Sequence, residues 1–140
     1  MIEVSCALII DGQKILVAQN RNDSDHPDKW EFPGGKVKSH ETPEQSIIRE
    51  IQEELNLLVE VRQNLKPAIC DYGHKTIRLI PFVCSIKSGE LQLNDHKAAK
   101  WVDMEQCKEI DFSEADKALL QDTSNYERLK EYLGKQMNDT

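Results

Sequence analysis

The chain has 140 residues, 39% hydrophobic and 31% charged, enough to bury a core without disulfide or metal staples and too balanced for a disordered chain. A formal net charge of −7 excludes sequence-independent binding to a nucleic-acid polymer, which rests on Lys and Arg neutralising phosphates, and an anionic substrate would need a cation as intermediary. Cys6, Cys70, Cys84 and Cys107 form no C-x-x-C pair and read as buried thiols of a reducing compartment; with no basic and apolar leader and no apolar run of membrane length, a cytoplasmic protein without a membrane partner is expected.

In chain order, Val4–Ile10 and Ile15–Ala18 are β-prone runs separated by Asp11-Gly12, a hairpin signal. Asn20–Lys29 is a polar loop, followed by Trp30-Glu31-Phe32 and the breaker cluster Pro33-Gly34-Gly35. A helix over Pro43–Leu55 has a marked entry: Thr42 as N-cap, Pro43 at the first helical position, Gln45 completing a capping box. Strands are expected at Leu57–Val61, Ala68–Asp71, Ile77–Ile86 and Ala98–Val102, with Pro81 placing the third at an edge or a bulge. Ser113 to about Leu133 has the apolar spacing of a closing helix that Thr123-Ser124-Asn125 can interrupt. The whole predicts one α/β domain over residues 1–135, a mixed sheet between helices, with a loose tail at 136–140.

On the helix beginning at Pro43, Ile47, Ile48, Ile51 and Leu55 fall within an arc of about 100°, the core face. Glu50, Glu53 and Glu54 occupy the neighbouring arc. Their i, i+3, i+4 spacing puts three like charges on one face, which destabilises a bare helix. A hard divalent cation such as Mg²⁺, with Mn²⁺ as substitute, relieves that repulsion and keeps positions for phosphate oxygens. A solvated acidic face explains three Glu equally well when they stand alone. The acidic arc abuts the apolar arc, however, and the upstream double glycine admits close approach of backbone to an ion or a phosphate.

Gly35, Glu41, Arg49-Glu50-Ile51, Glu53-Glu54 and Leu57 together resemble the signature of the Nudix hydrolases, with one departure: Asn56 stands where the family has glycine. That position follows the helix, where left-handed geometry is wanted and Asn is the next best residue, so an intact site is expected. Trp30-Glu31-Phe32-Pro33-Gly34-Gly35-Lys36, Trp101-Val102 and Asp111–Asp116 extend the likeness to the MutT-like branch. The resemblance implies the Nudix α/β/α sandwich and attack of water at phosphorus, releasing a nucleoside monophosphate and pyrophosphate. The implied role is clearance of modified or surplus nucleotides.

Carried over by position, Glu50, Glu53, Glu54 and the Gly34 carbonyl would bind metal, with Glu53 or Glu54 as base on the attacking water. Arg49 would pair with Glu41 and brace the loop beside Gly35. Asp95, six residues before Trp101, matches a further acidic position near the metals, and equally reads as a plain loop aspartate. An Arg common in this branch is replaced by Asn20, leaving Arg21 beside it as the substrate contact. Phe32 and Tyr72 match aromatic positions that contact the base, against a reading in which each only packs in the sheet. Asp116 matches the base reader, although Ser113 and Asp116 also form a capping-box pattern. An ionised Asp only accepts, which favours cytosine or 2-hydroxyadenine nucleotides over 8-oxoguanine unless burial keeps it protonated. The alternatives are an 8-oxo-dGTP diphosphatase, a dinucleoside polyphosphate hydrolase, suggested by Tyr72, and a non-catalytic nucleotide-binding module. The expected assembly is a monomer or homodimer.

Overall fold

The computed structural model describes residues 1–138. Strand β1 (Ile2–Asp11) turns at Gly12, whose φ is +62°, into β2 (Lys14–Gln19), the expected hairpin. Short strands β3 (Trp30–Glu31) and β4 (Gly34–Lys36) follow, then helix α1 (Pro43–Leu55). After it come β5 (Leu57–Asn64), β6 (Ala68–Asp71), β7 (Thr76–Gly89) and β8 (Ala98–Val102). Helices α2 (Met104–Cys107), α3 (Glu114–Gln121) and α4 (Thr123–Asn138) close the chain.

The sheet has eight strands with the spine β3-β2-β1-β7-β5, and β4, β6 and β8 pair with β1, β7 and β2. Strands β1 and β7 run parallel from Ile2↔Ile77 to Ile10↔Ser85 while the other pairs are antiparallel, so the sheet is mixed. Alternation along β1 makes the sandwich. Cys6, Leu8 and Ile10 pack with Leu119, Leu129 and Leu133 of α3 and α4, while Ala7 and Ile9 pack with Ile47, Ile51 and Leu55 of α1.

Helix α1 forms with its capping box intact: Gln45 N–H donates to Thr42 Oγ1, and Thr42 N–H to Gln45 Oε1. It ends at Asn56 with φ +60° and ψ +31°, the left-handed cap expected there; the Asn side chain also donates to the Glu90 carbonyl. On its inner face Ser46 is fully buried against Ser5 (Oγ···Oγ 2.9 Å), whereas Ile48 is only half-buried.

Three expectations are corrected. Pro81 lies in the central strand β7, paired with Cys6 of β1, and not at an edge. On the other side the β6 ladder stops at Leu79 and the β5 ladder starts at Phe82, so Pro81 sits where β7 changes partners. Its carbonyl accepts from Leu65 N–H, and its missing N–H falls in the gap, where no donor is required. The breaker Gly34-Gly35 is a strand. The closing helix is interrupted next to Thr123-Ser124-Asn125, as expected: the extended backbone of Asp122 ends α3 and its carboxylate accepts from Asn125 N–H in α4. The last helix continues through Asn138, beyond the expected start of the tail, and positions 139 and 140 lie outside the described residues.

Candidate active site

Helix α1 carries the acidic arc past β4. Arg49 takes both oxygens of Glu41, Nε to Oε2 at 2.9 Å and Nη2 to Oε1 at 2.6 Å, the planar fork suited to a carboxylate. That hydrogen bonding, with the Lys38 N–H, holds Glu41 down to about 2. The predicted brace is therefore present, and it extends further than predicted: Arg49 Nη1 also meets Glu50 at 2.9 Å and Glu53 at 3.1 Å. The guanidinium offsets the repulsion along the helix. Among the described residues no three acidic, His or Cys side chains stand together as a ready coordination set, because Arg49 draws two of the three glutamates to itself.

Glu54 differs from its neighbours. It is mostly buried, its Oε2 has no hydrogen-bond partner, and its ionisation is pushed up to about 9, first by burial and then by the charges of Glu31, Glu50 and Asp95. A buried acceptor without a donor is costly, and a desolvated carboxyl among carboxylates is the electrostatic outline of a cation site. The hard-oxygen donor set Glu50, Glu53, Glu54 and the Gly34 carbonyl fits Mg²⁺ or Mn²⁺.

The double glycine is explained by contact. A Cβ on Gly34 would stand 1.9 Å from the Ser5 carbonyl oxygen, and one on Gly35 would stand 2.4 Å from Glu50 Cδ. Gly34→Ala is thus expected to cost about 3 kcal/mol or more by forcing β4 off β1. Gly35→Ala strikes the end of a flexible side chain, so it should melt near the parent while displacing Glu50. Thermal unfolding of the two variants checks this, and a Gly34→Ala protein as stable as the parent would contradict it.

Beside the carboxylates lies a pocket of about 290 Å³ lined by Glu31, Phe32, Gly34, Gly35, Lys36, Tyr72, Lys75, Ser113 and Asp116, with Asp25 and His26 on its loop side. Phe32 both lines it and belongs to the core, 5.0 Å from the Phe112 ring. Tyr72 sits in the β6–β7 turn beside Gly73, its ring 5.0 Å from that of His26, and its Oη accepts from Ala115 N–H at 3.2 Å. Burial lifts the phenol to about 12, so it stays protonated.

Asp116 is buried, and its Oδ1 accepts from Phe32 N–H at 2.9 Å. Burial, then the charge of Glu31, pushes its ionisation well upward. The capping box that was the alternative reading of Ser113 and Asp116 does not form: Ser113 makes no cap hydrogen bond and its buried Oγ has no partner among the described residues. Asp116 turns to the pocket wall instead of the helix end.

Arg21 does not line this pocket. It is exposed, pairs with Asp23 at 3.7 Å, and shares a separate depression with Asn20, Ser24 and Asp95. Asn20 is buried and donates to the His26 carbonyl, an anchor for the loop. Asp95 is exposed, yet close enough to raise Glu54.

Sequence reasoning missed His26, Lys75, Glu31 and His96. The first two are brought together by the pairs His26–Tyr72 and Asp25–Lys75 (3.6 Å) across loops far apart in sequence, which no local pattern shows. The four cysteines are free; three are buried as expected, and Cys70 is only half-buried.

A NUDIX domain model matches residues 1–123. The chain is 34% identical over 121 residues to a CTP pyrophosphohydrolase of Escherichia coli K12, covering 86% of this chain and 90% of the relative. It is 30% identical over 115 residues to an 8-oxo-dGTP diphosphatase of Buchnera aphidicola, covering 82% and 87%. The solution structure of the E. coli ORF135 protein superposes with a TM-score of 0.78 at 32% identity, covering 93% of this chain and 91% of that one. With the motif, the sandwich and the braced glutamates in place, the chain belongs to the Nudix hydrolases.

Proposed function

We propose that this enzyme is a divalent-cation-dependent nucleoside triphosphate pyrophosphohydrolase of cytoplasmic nucleotide-pool sanitation, acting preferentially on cytosine or 2-hydroxyadenine nucleotides. The observation that carries the reading is the adjacency of the acidic α1 face, with its orphaned Glu54 oxygen, to a pocket walled by Phe32, Tyr72 and Asp116. A bound Mg²⁺ would neutralise phosphate oxygens and lower the pKa of an attacking water. Glu50, Glu53, Glu54 and the Gly34 carbonyl would hold it, and Arg49 keeps the helix and the loop at Glu41 in register. Glu53 or Glu54 takes the proton of the water as its oxygen bonds to phosphorus and the pyrophosphate oxygen leaves.

Base selection falls to Asp116. Ionised, it accepts only, and suits cytosine N4; protonated, it also donates, and admits a guanine O6. Because burial raises its ionisation, the cytosine preference should strengthen as pH rises through the titration of Asp116 and weaken below it. The test is pyrophosphate release from CTP, 5-methyl-dCTP, 2-hydroxy-dATP, 8-oxo-dGTP and dinucleoside polyphosphates across pH, in wild type and Asp116→Asn. The cytosine to 8-oxoguanine ratio of kcat/KM is expected to climb with pH in the wild type and to stay flat in Asp116→Asn. Preference for 8-oxo-dGTP or a dinucleoside polyphosphate at every pH would overturn the ranking, and a slope surviving in the variant would remove Asp116 from base reading.

A further inference from the structure

A second cavity, of about 300 Å³, lies among α2, α3, the segment joining them and the start of α4. Its walls are Met104, Cys107, Ile110, Phe112 and Leu120, with Tyr126 on the α4 side. Met104, Ile110 and Leu120 pack against the core that holds Leu119 and Leu129, yet they remain only half-buried, as does Tyr126. Apolar surface is thus left facing a concavity of the size that takes a small ligand. Burial pushes the Cys107 thiol up to about 11, so at neutral pH it adds an uncharged sulfur to the wall.

The charge at this cavity is opposite to that of the chain. Its charged lining residues are Lys108 and Lys117, in a chain of net charge −7 whose nucleotide pocket is lined by Asp25, Glu31 and Asp116. Among the described residues no carboxylate lines it. Each lysine has an acidic neighbour three positions away, Glu105 at 3.1 Å and Glu114 at 3.5 Å, but both pairs are solvent-exposed. Exposed pairs of this kind are weak, and both ammonium groups stay available to a ligand.

The cavity is distinct from the nucleotide pocket. Phe112 lines the one and Phe32 the other, with ring centroids 5.0 Å apart, and α3 gives Lys117 and Leu120 to the first and Ala115 and Asp116 to the second. Hydrogen bonds hold the wall between them: Trp30 N–H donates to the Asp111 carbonyl, Ser113 N–H to the Trp30 carbonyl, and Phe32 N–H to Asp116 Oδ1. Two ligands can therefore be bound at once.

The rings of Phe112 and Tyr126 and the sulfurs of Met104 and Cys107 favour an aromatic body over an aliphatic one, and the paired lysines favour an anion. We propose that this cavity is a second ligand site, for a small aromatic carboxylate whose ring lies against Phe112 and Tyr126 and whose acid group meets Lys108 and Lys117. Binding there does not depend on hydrolysis, so the test reads binding directly.

The probe is 1-naphthoate, compared with 1-naphthylmethanol and with the saturated decahydronaphthalene-1-carboxylate. Each is titrated into methyl-labelled protein and followed by NMR at Met104, Ile110 and Leu120, in wild type, Lys108→Met/Lys117→Met and Leu120→Trp. The naphthoate should shift these methyls saturably, with a Kd on the order of 1 mM or tighter, as befits a two-ring ligand. The alcohol should bind about fivefold more weakly, and the saturated acid about threefold. In the double lysine variant the acid should fall to the affinity of the alcohol, whose own binding stays unchanged. Leu120→Trp fills the cavity and should abolish saturation; should it fail to fold, the lysine variant, altered only at the cavity mouth, carries the test. A saturating non-hydrolysable CTP analogue with Mg²⁺ should leave the naphthoate bound.

Absence of saturable shifts at these methyls overturns the proposal, as does displacement of the probe by the nucleotide analogue, which would place it in the nucleotide pocket. Equal affinity for acid and alcohol, or for acid in wild type and the lysine variant, overturns the carboxylate assignment, and a saturated acid that binds as well as naphthoate overturns the aromatic one. Shifts of the same methyls with protein concentration alone also overturn it, and give the face to a second copy of the chain.

Discussion

Glu54→Gln is expected to lower kcat by at least roughly 10²-fold while leaving the fold intact, the size of effect that follows loss of a metal ligand or general base. The same variant should change how stability depends on pH. In the metal-free protein Glu54 ionises near 9, far above its ordinary carboxylate range, because burial and the charges of Glu31, Glu50 and Asp95 oppose ionisation. Between the unfolded value of about 4.3 and the folded value, the native state holds a proton that the unfolded chain has released, so stability falls as pH rises across that window. Gln carries no such proton. Metal-free Glu54→Gln should therefore lose less stability than wild type between pH 5 and pH 9, with the two curves converging at acid pH. Glu53→Gln should also lose about 10²-fold in kcat, although Glu53, unlike Glu54, is exposed and ion-paired with Arg49. Denaturant melts of wild type and Glu54→Gln in chelator at several pH values, alongside kcat of both variants with Mg²⁺, check these effects. Near-normal turnover in both variants would refute the assignment of the α1 face, and parallel stability curves for wild type and Glu54→Gln would refute the buried, protonated state.

Most of this frame was legible because its signals are local. The capping box at Thr42, the acidic arc and the cap at Asn56 each lie within one or two helical turns, where spacing translates directly into geometry. The Asp11-Gly12 hairpin is local in the same sense. Pro81 was misplaced because its compatibility with a central strand depends on where two other strands stop, which is a property of the assembled sheet. The strand at Gly34-Gly35 was hidden for a related reason: β1 needs close backbone approach there, and the residues that allow it look like breakers. Helix α2, at four residues, is too short to show a helical periodicity, and its Asp103–Gln106 capping box is the one local signal for it. In the site, the helix-borne residues were found and the bridging ones were not. Glu31 and His96 are 65 positions apart, and Tyr72 meets His26 across two loops, so neither pair leaves a periodic trace.

Removing the divalent cation is expected to have the largest effect of all, abolishing turnover in excess chelator and restoring it with Mg²⁺ or Mn²⁺. A chain of net charge −7 with Asp25, Glu31 and Asp116 lining its pocket repels a triphosphate unless a cation stands between them. The structure adds a proton to this prediction. A carboxyl coordinates as the anion, and Glu54 in the metal-free site is held neutral by burial up to about 9, so cation binding near neutral pH must release its proton. It must also compete with Arg49 for Glu50 and Glu53, which the guanidinium holds at 2.9 and 3.1 Å. Apparent affinity for Mg²⁺ should therefore rise with pH and level off as pH passes about 9, where Glu54 has no proton left to lose. Calorimetric titration of Mg²⁺ in buffers of different ionisation enthalpy at pH 7 measures the release directly. In Glu54→Gln both the release and most of the pH dependence should vanish, while Arg49→Lys, which breaks the fork on Glu41 and loosens Glu50, should keep the release. Full turnover in chelator would end the metal-dependent reading, and Mg²⁺ binding that releases no proton would place the cation away from Glu54.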